Sequence, residues 1–170
     1  ESAKSLNMPY ITERWPGGLL TNFSTIRKSI KKMNSIDTMK EDGTFDTLSK
    51  REKLQIERTR EKLELNFGSI ENMNRIPEAI FVVDINKEHI AVAEANKLGM
   101  RSYAMVDTNT NPKLVNFPIP ANDDSTKSIS KIMQIISEAI AEGLSERSKT
   151  IEEKAKIKQE KAKEILNKDN

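Results

Sequence analysis

Two sets of charged residues in this 170-residue chain have the types and spacing to act on phosphate or on a hard cation. The first is basic. Arg14, Arg27, Lys28, Lys31 and Lys32 stand between Arg14 and Ile36 with no acid among them, and Lys50, Arg51 and Lys53 form a second basic run. Screening limits a surface charge to about 8–10 Å of reach at physiological salt, so local sign decides whether a polyanion is attracted. The net charge of +2 decides little. Trp15, beside Arg14, offers a stacking surface, and basic residues next to an aromatic suit RNA backbone and exposed bases. Gly17-Gly18 ahead of a helix can turn backbone amides toward a phosphate, although a glycine pair serves equally as a tight turn. Asn22 stands at the start of that helix. A single lysine of this kind is ordinary solvated charge; the cluster carries the reading.

The second set is acidic. Asp84, Asp107, Asp123 and Asp124 fall where strands should end, and ligands of open α/β sheets bind outside the carboxyl ends of strands. Carboxylates there suit a cation such as Mg²⁺, with Asp107 and Asp123 the pair for a metal. They serve as readily as turn formers and helix caps. A Mg²⁺-dependent phosphate-handling enzyme or ligand switch is therefore the rival function class. Its usual signatures are absent: neither G-x-G-x-x-G nor a Walker A sequence occurs. Cysteine is lacking and His89 is the single histidine, which excludes disulfides, thiolate chemistry and multi-histidine metal sites within this chain. His89 itself reads as a solvated helix residue. No apolar run reaches the roughly 18 residues of a membrane span and no signal peptide opens the chain. A soluble, intracellular protein is expected, and the basic cluster favours RNA rather than a membrane as its partner.

These residues must be positioned by an alternation of helices and strands. Glu1–Met8 reads as the end of a helix and Pro9–Thr12 as a short strand, so a fragment of a longer protein is expected. From Thr21 or Asn22 a helix carries Phe23, Ile26, Ile30, Met33 and Ile36 in a narrow apolar stripe. Lys40–Thr44 breaks it, and Ser49-Lys-Arg-Glu52 is a capping box that opens a second, highly charged helix. Ile56, Leu63 and Ile70 recur there every seven residues, which predicts an antiparallel hairpin projecting from the body. Ala79–Asp84 is an apolar strand buried on both faces. Lys87–Leu98 is a helix capped by Gly99, and Ser102–Asp107 is a second strand, making a right-handed βαβ unit. Phe117-Pro-Ile-Pro120 is confined to an edge by its prolines. Asp124 or Ser125 caps a helix whose Ile129, Ile132, Met133, Ile136 and Ile140 face the sheet. The expected domains are 1–20 with 71–147 for the sheet, 21–70 for the hairpin, and 148–170 for a charged tail, helical or disordered.

Six segments carry a family resemblance. Glu13-Arg-Trp-Pro-Gly-Gly-Leu-Leu-Thr-Asn-Phe23 with Thr25-Ile-Arg27, Leu48-Ser-Lys-Arg-Glu52, Asn66-Phe-Gly-Ser-Ile70, Phe81-Val-Val-Asp-Ile85, Val106-Asp-Thr-Asn109 and Ile119-Pro-Ala-Asn-Asp-Asp124 closely resemble the bacterial small-subunit ribosomal protein two (the universal S-two family), in order from about Asn7 to Arg147. The resemblance implies an α/β, flavodoxin-like (Rossmann-like) three-layer parallel sheet with an inserted antiparallel coiled-coil hairpin. It also implies a structural role on small-subunit rRNA, beside neighbouring ribosomal proteins including the large mRNA-holding S-one protein. No established catalysis or firm cofactor comes with it. The chain is expected to depart from the family pattern in one respect, lacking before Glu1 the family's N-terminal portion with its first helices and a central strand. The residues expected to meet rRNA are Arg14, Trp15, Gly17, Gly18, Asn22, Arg27, Lys28, Lys31, Lys32, Lys50, Arg51 and Lys53.

Overall fold

A computed structural model describes the backbone of residues 1–168 and the side chains of residues 1–151 and 154. The chain divides into two compact units, Met8–Ile129 and Glu1–Asn7 with Ser130–Asn170.

The first unit holds a three-stranded sheet in the order β1-β2-β3, with β1 at Ala79–Val83, β2 at Arg101–Val106 and β3 at Phe117–Pro120. Both pairings are parallel. Apolar side chains on consecutive positions form β1 and β2, but the expected burial of β1 on both faces is not met: Ile80 and Val82 face the cores, whereas Phe81 and Val83 across the pleat are only half-buried and Ala79 is exposed. That helix, α4 (His89–Lys97), buries Ala91, Val92 and Ala95. It begins two residues later than the sequence suggests, because Asp84 holds the intervening turn: its Oδ1 accepts the amides of Asn86 and Lys87 at 3.1 Å each. Asp84 itself adopts φ +63°, a left-handed conformation that acidic side chains tolerate through such local bonds. Gly99, also at φ +63°, ends α4 as predicted. β3 tolerates Pro118 and Pro120 as an edge strand, and its Phe117 stacks on Tyr103 at 4.5 Å between ring centroids.

Helix α2 (Phe23–Glu41) and helix α3 (Lys50–Phe67) are joined by a short turn over Thr44–Thr47. The predicted capping box is present: Ser49 Oγ accepts the Glu52 amide while Glu52 Oε2 accepts the Ser49 amide. Helix α2 buries Ile26, Ile30, Met33 and Ile36. Partners run in opposite senses along the two helices, for Arg60 meets Asp37 at 2.6 Å while Arg27 reaches the Met73 carbonyl just beyond α3 at 3.1 Å. At the base of this pair, Leu19, Leu20, Ile26, Ile30, Phe67, Ile70 and Met73 share a core with Ala95 and Met100. A second core, of Val82, Ile85, Val92, Ala104, Val106 and Val115, lies between α4 and the sheet. The helix pair is thus rooted by apolar burial at one end only.

One predicted element is absent. Pro9–Thr12 is not a strand, because no neighbouring strand pairs with it among the described residues. Ser69 instead donates its hydroxyl to the Tyr10 carbonyl, and Ile11 packs against the first core.

In the second unit a short helix, α1, covers Ser2–Ser5. Helix α5 (Thr126–Lys168) starts in the first unit and runs through Gly143. Its start is shaped by Asn122, whose Oδ1 accepts the amides of Asp124 and Ser125 at 3.0 and 2.7 Å, not by the side chains of Asp124 or Ser125. Of its predicted apolar face, Ile129, Ile132, Met133 and Ile136 are half-buried and Ile140 is exposed. The expected solvation of the tail over 148–170 falls largely outside the described residues. Among the described residues no helix is long and apolar enough to cross a membrane.

Ile30 is 2% exposed in the seam and Lys28 beside it is exposed. Ile30→Ala is expected to cost about 2–4 kcal/mol of stability in urea unfolding. Lys28→Ala should stay within about 0.5 kcal/mol.

Candidate nucleic-acid interface

The segment Trp15–Thr21, where Gly17-Gly18 was expected to present free amides, is already filled by an anion of the chain itself. Glu94 of α4 is 7% exposed, and its carboxylate accepts the amides of Gly18 at 2.7 Å, Leu20 at 2.9 Å and Thr21 at 2.9 Å. The Thr21 hydroxyl donates at 3.1 Å and Trp15 Nε1 at 3.3 Å. Gly18 has φ +86°, which brings its amide inward, and a Cβ there would stand 3.3 Å from that of Asn22. Burial pushes the Glu94 carboxyl up, but the amides of Thr21, Gly18 and Leu20 with the Thr21 hydroxyl outweigh it, and the group sits below its ordinary 4.5. The amides of Gly18, Leu20 and Thr21 thus meet an internal carboxylate, the tight-turn reading of the glycine pair, while Gly17 is exposed and makes no bond to Glu94. Trp15 is half-buried: its ring packs on the first core and its one donor faces Glu94.

The basic residues separate into engaged and free groups. Arg27 is half-buried and spends Nη1 on the carbonyls of Glu71 and Met73. Lys53 pairs with Asp46 at 3.4 Å and lies over the Phe45 ring. Asn22 Oδ1 accepts the Thr25 hydroxyl at 2.9 Å. Arg14, Lys28, Lys31, Lys32, Lys50 and Arg51 are exposed and form no ion pair among the described residues.

Nor do the free cations form one patch. At about 3.6 residues per turn, Lys28, Lys31 and Lys32 fall on the side of α2 opposite its buried Ile26, Ile30 and Met33. On α3 the half-buried Ile56, Arg60 and Leu63 and the buried Phe67 mark the seam, and Arg51 lies on the far side. Arg58 and Lys62, both exposed, share Arg51's stripe. Sequence reading missed these two, although the spacing from Arg51 (i+7 and i+11) is visible on a helical wheel. The two cationic stripes face away from each other across the helix pair.

The strand-end aspartates do come together. Lys87 Nζ lies 2.9 Å from Asp84 Oδ2 and 3.9 Å from Asp124 Oδ1. Asp107 Oδ1 accepts the Thr108 amide at 2.6 Å, which holds its carboxyl below the usual range. Asp123 is 5% exposed and its Oδ2 has no hydrogen-bond partner. Burial, then the charges of Asp84, Asp107 and Asp124, push its carboxyl up. Among the described residues no three acidic, histidine or cysteine groups converge as a ligand set.

Comparison with known proteins matches residues 1–143 to the family model described as ribosomal protein S2. The chain is 63% identical over 147 residues to the small ribosomal subunit protein uS2 of Flavobacterium johnsoniae, covering 86% of this chain and 58% of that protein. Against the uS2 of Flavobacterium psychrophilum it is 62% identical over 148 residues, 87% of this chain and 56% of the relative. With the uS2 of Cytophaga hutchinsonii it shares 54% over 158 residues, 93% of this chain and 62% of the relative. The chain thus spans little more than half the length of these curated relatives.

Two outcomes follow from the carboxylates. A lowered folded value means that Glu94 stabilises fully above its unfolded value and progressively less as pH falls through 4.5 and below. Glu94→Gln should cost about 3 kcal/mol at pH 7 and flatten the acid limb of stability against pH in urea titrations. Asp123 has the opposite sign: its raised value means that stability is lost as pH rises from the ordinary 3.8 through the folded value, and the loss is complete above it. Asp123→Asn should raise Tm by about 2–4 °C at pH 7 and leave it nearly unchanged at pH 3 by calorimetry.

Proposed function

The chain belongs to the ribosomal protein S2 family, and from that premise we propose that it is a structural constituent of the bacterial small ribosomal subunit in the cytoplasm, which binds small-subunit rRNA and catalyses nothing. The observation that carries the reading is the outer face of α2. Lys28, Lys31 and Lys32 stand there exposed and unpaired, beside Ser24 and Ser35, with no acid along Phe23–Ile36. Ammonium and hydroxyl groups without carboxylates suit phosphodiester oxygens. Such contacts position a protein, while the folded shape of RNA supplies the selectivity. Arg14 and Lys50 are further candidates for phosphate, while Arg51 is exposed on the other side of the helix pair. Trp15, Gly17, Gly18, Asn22, Arg27 and Lys53 act by holding the backbone that presents these cations.

The finer architecture belongs to the same proposal. The sheet and α4 are part of a flavodoxin-like body formed by residues 1–20 and 71–147, and residues 21–70 are an inserted antiparallel coiled coil that carries the cations outward. Neighbouring small-subunit proteins, the mRNA-holding S-one protein among them, dock on the remaining surface. The unpartnered Oδ2 of Asp123 supports one addition, a divalent cation held between Asp107 and Asp123. Calorimetric titration with Mg²⁺ should then show a saturable site that Asp107→Ala removes.

Binding to small-subunit rRNA should weaken steeply with salt, since each neutralised phosphate contributes about 0.7–0.9 to the slope of log K against log salt. Reversing Lys28 and Lys31 to glutamate should lower that slope by about 2. An unchanged slope would remove α2 from the interface.

A further inference from the structure

Helix α3 turns a second face to solvent, and its chemistry differs from that of α2. Arg51, Arg58 and Lys62 fall within about 40° of one another around the helix and span about 16 Å along it. Leu54 and Leu65 both line one edge of the stripe and are 49% and 64% exposed, large for leucines beside charged groups. A shallow depression of about 680 Å³ opens over this surface, with Leu54, Arg58 and Lys62 in its lining. The outer face of α2 carries hydroxyls and ammonium groups, with the half-buried Met39 near its end and no exposed leucine.

We propose that this face of α3 docks an acidic amphipathic helix of a neighbouring protein, on the side of the helix pair opposite the RNA. The inference deepens the ribosomal reading and rests on it. Charge complementarity selects the sign of the partner: three cations with no carboxylate in their stripe attract acids, and guanidinium groups bind carboxylates through paired N–H donors. The leucines select its class. A phosphodiester chain has nothing apolar to cover Leu54 and Leu65, whereas a helix with an apolar stripe buries both. Glu57 and Glu61 flank the stripe on the Leu54 side and form no ion pair among the described residues. They would repel a phosphate backbone laid along the helix, and would set the register of a protein partner by meeting its lysines. Each helix of the pair spends its buried stripe on the other, so one rigid element presents one face to nucleic acid and the other to protein.

Site-specific photocrosslinking in intact small ribosomal subunits tests this, with p-benzoylphenylalanine placed at Leu54, at Leu65 or at Lys31. The Leu54 and Leu65 adducts should survive ribonuclease and map by mass spectrometry to one acid-rich helical segment of a neighbouring protein. The Lys31 adduct should be RNA. Arg58→Glu with Lys62→Glu should lower the Leu54 adduct by about tenfold or more and leave the Lys31 adduct within about twofold. A Leu54 adduct with RNA or with a second copy of this chain would overturn the inference. So would no Leu54 adduct in subunits whose Lys31 adduct forms. A protein adduct at Leu54 without RNA at Lys31 would instead retain this face and sink the assignment of α2; failure of the protein to enter subunits would sink both.

Discussion

The carboxylate of Glu94 is the constraint on which the presented surface depends. A buried charge is tolerable only where hydrogen bonds replace its water, and here three amides, a hydroxyl and an indole do so. In satisfying itself Glu94 fixes the path of the chain from Trp15 to Thr21, and so the point and angle at which α2 begins. The apolar base of the helix pair then locks that angle against α4 and the sheet. Gly18 serves this internal anion, and its left-handed φ turns its amide toward Glu94.

Two helices packed along one seam have a geometric consequence for electrostatics. Each must turn its apolar stripe toward the other, so charges opposite those stripes end up on opposite sides of the pair. Arg60 with Asp37, and Lys53 with Asp46, lie nearer the seam and are neutralised there. The lysines of α2 and the Arg51, Arg58, Lys62 stripe of α3 are left outside, as separate surfaces of different character. The two basic runs, which read in sequence as one patch, thus present Lys28, Lys31 and Lys32 on one side of the pair and Arg51 on the other.

At the carboxyl ends of the strands the balance is different. Asp84 and Asp107 are held low by local donors, and Lys87 supplies the cation for Asp84 and Asp124. Asp123 is left buried among like charges with one oxygen unpartnered. Turn formation thus accounts for Asp84 and Asp107 and leaves Asp123 as the exception.

Wherever the information was local, the sequence by itself determined the element. Consecutive apolar residues defined β1 and β2, Ser49 and Glu52 defined the start of α3, the proline pair set β3 at an edge, and Gly99 ended α4. These depend on periodicity and capping within a few residues. Pro9–Thr12 failed as a strand because strand identity requires a ladder partner, which no local pattern supplies. Tertiary structure alone decided that Glu94 reaches back more than seventy positions to the glycine turn, that Arg27 is spent on two carbonyls, and that the free cations divide between opposite faces. Residue type announces a capacity to bond or to carry charge; which capacities are already used depends on groups distant in the chain, and packing brings those together.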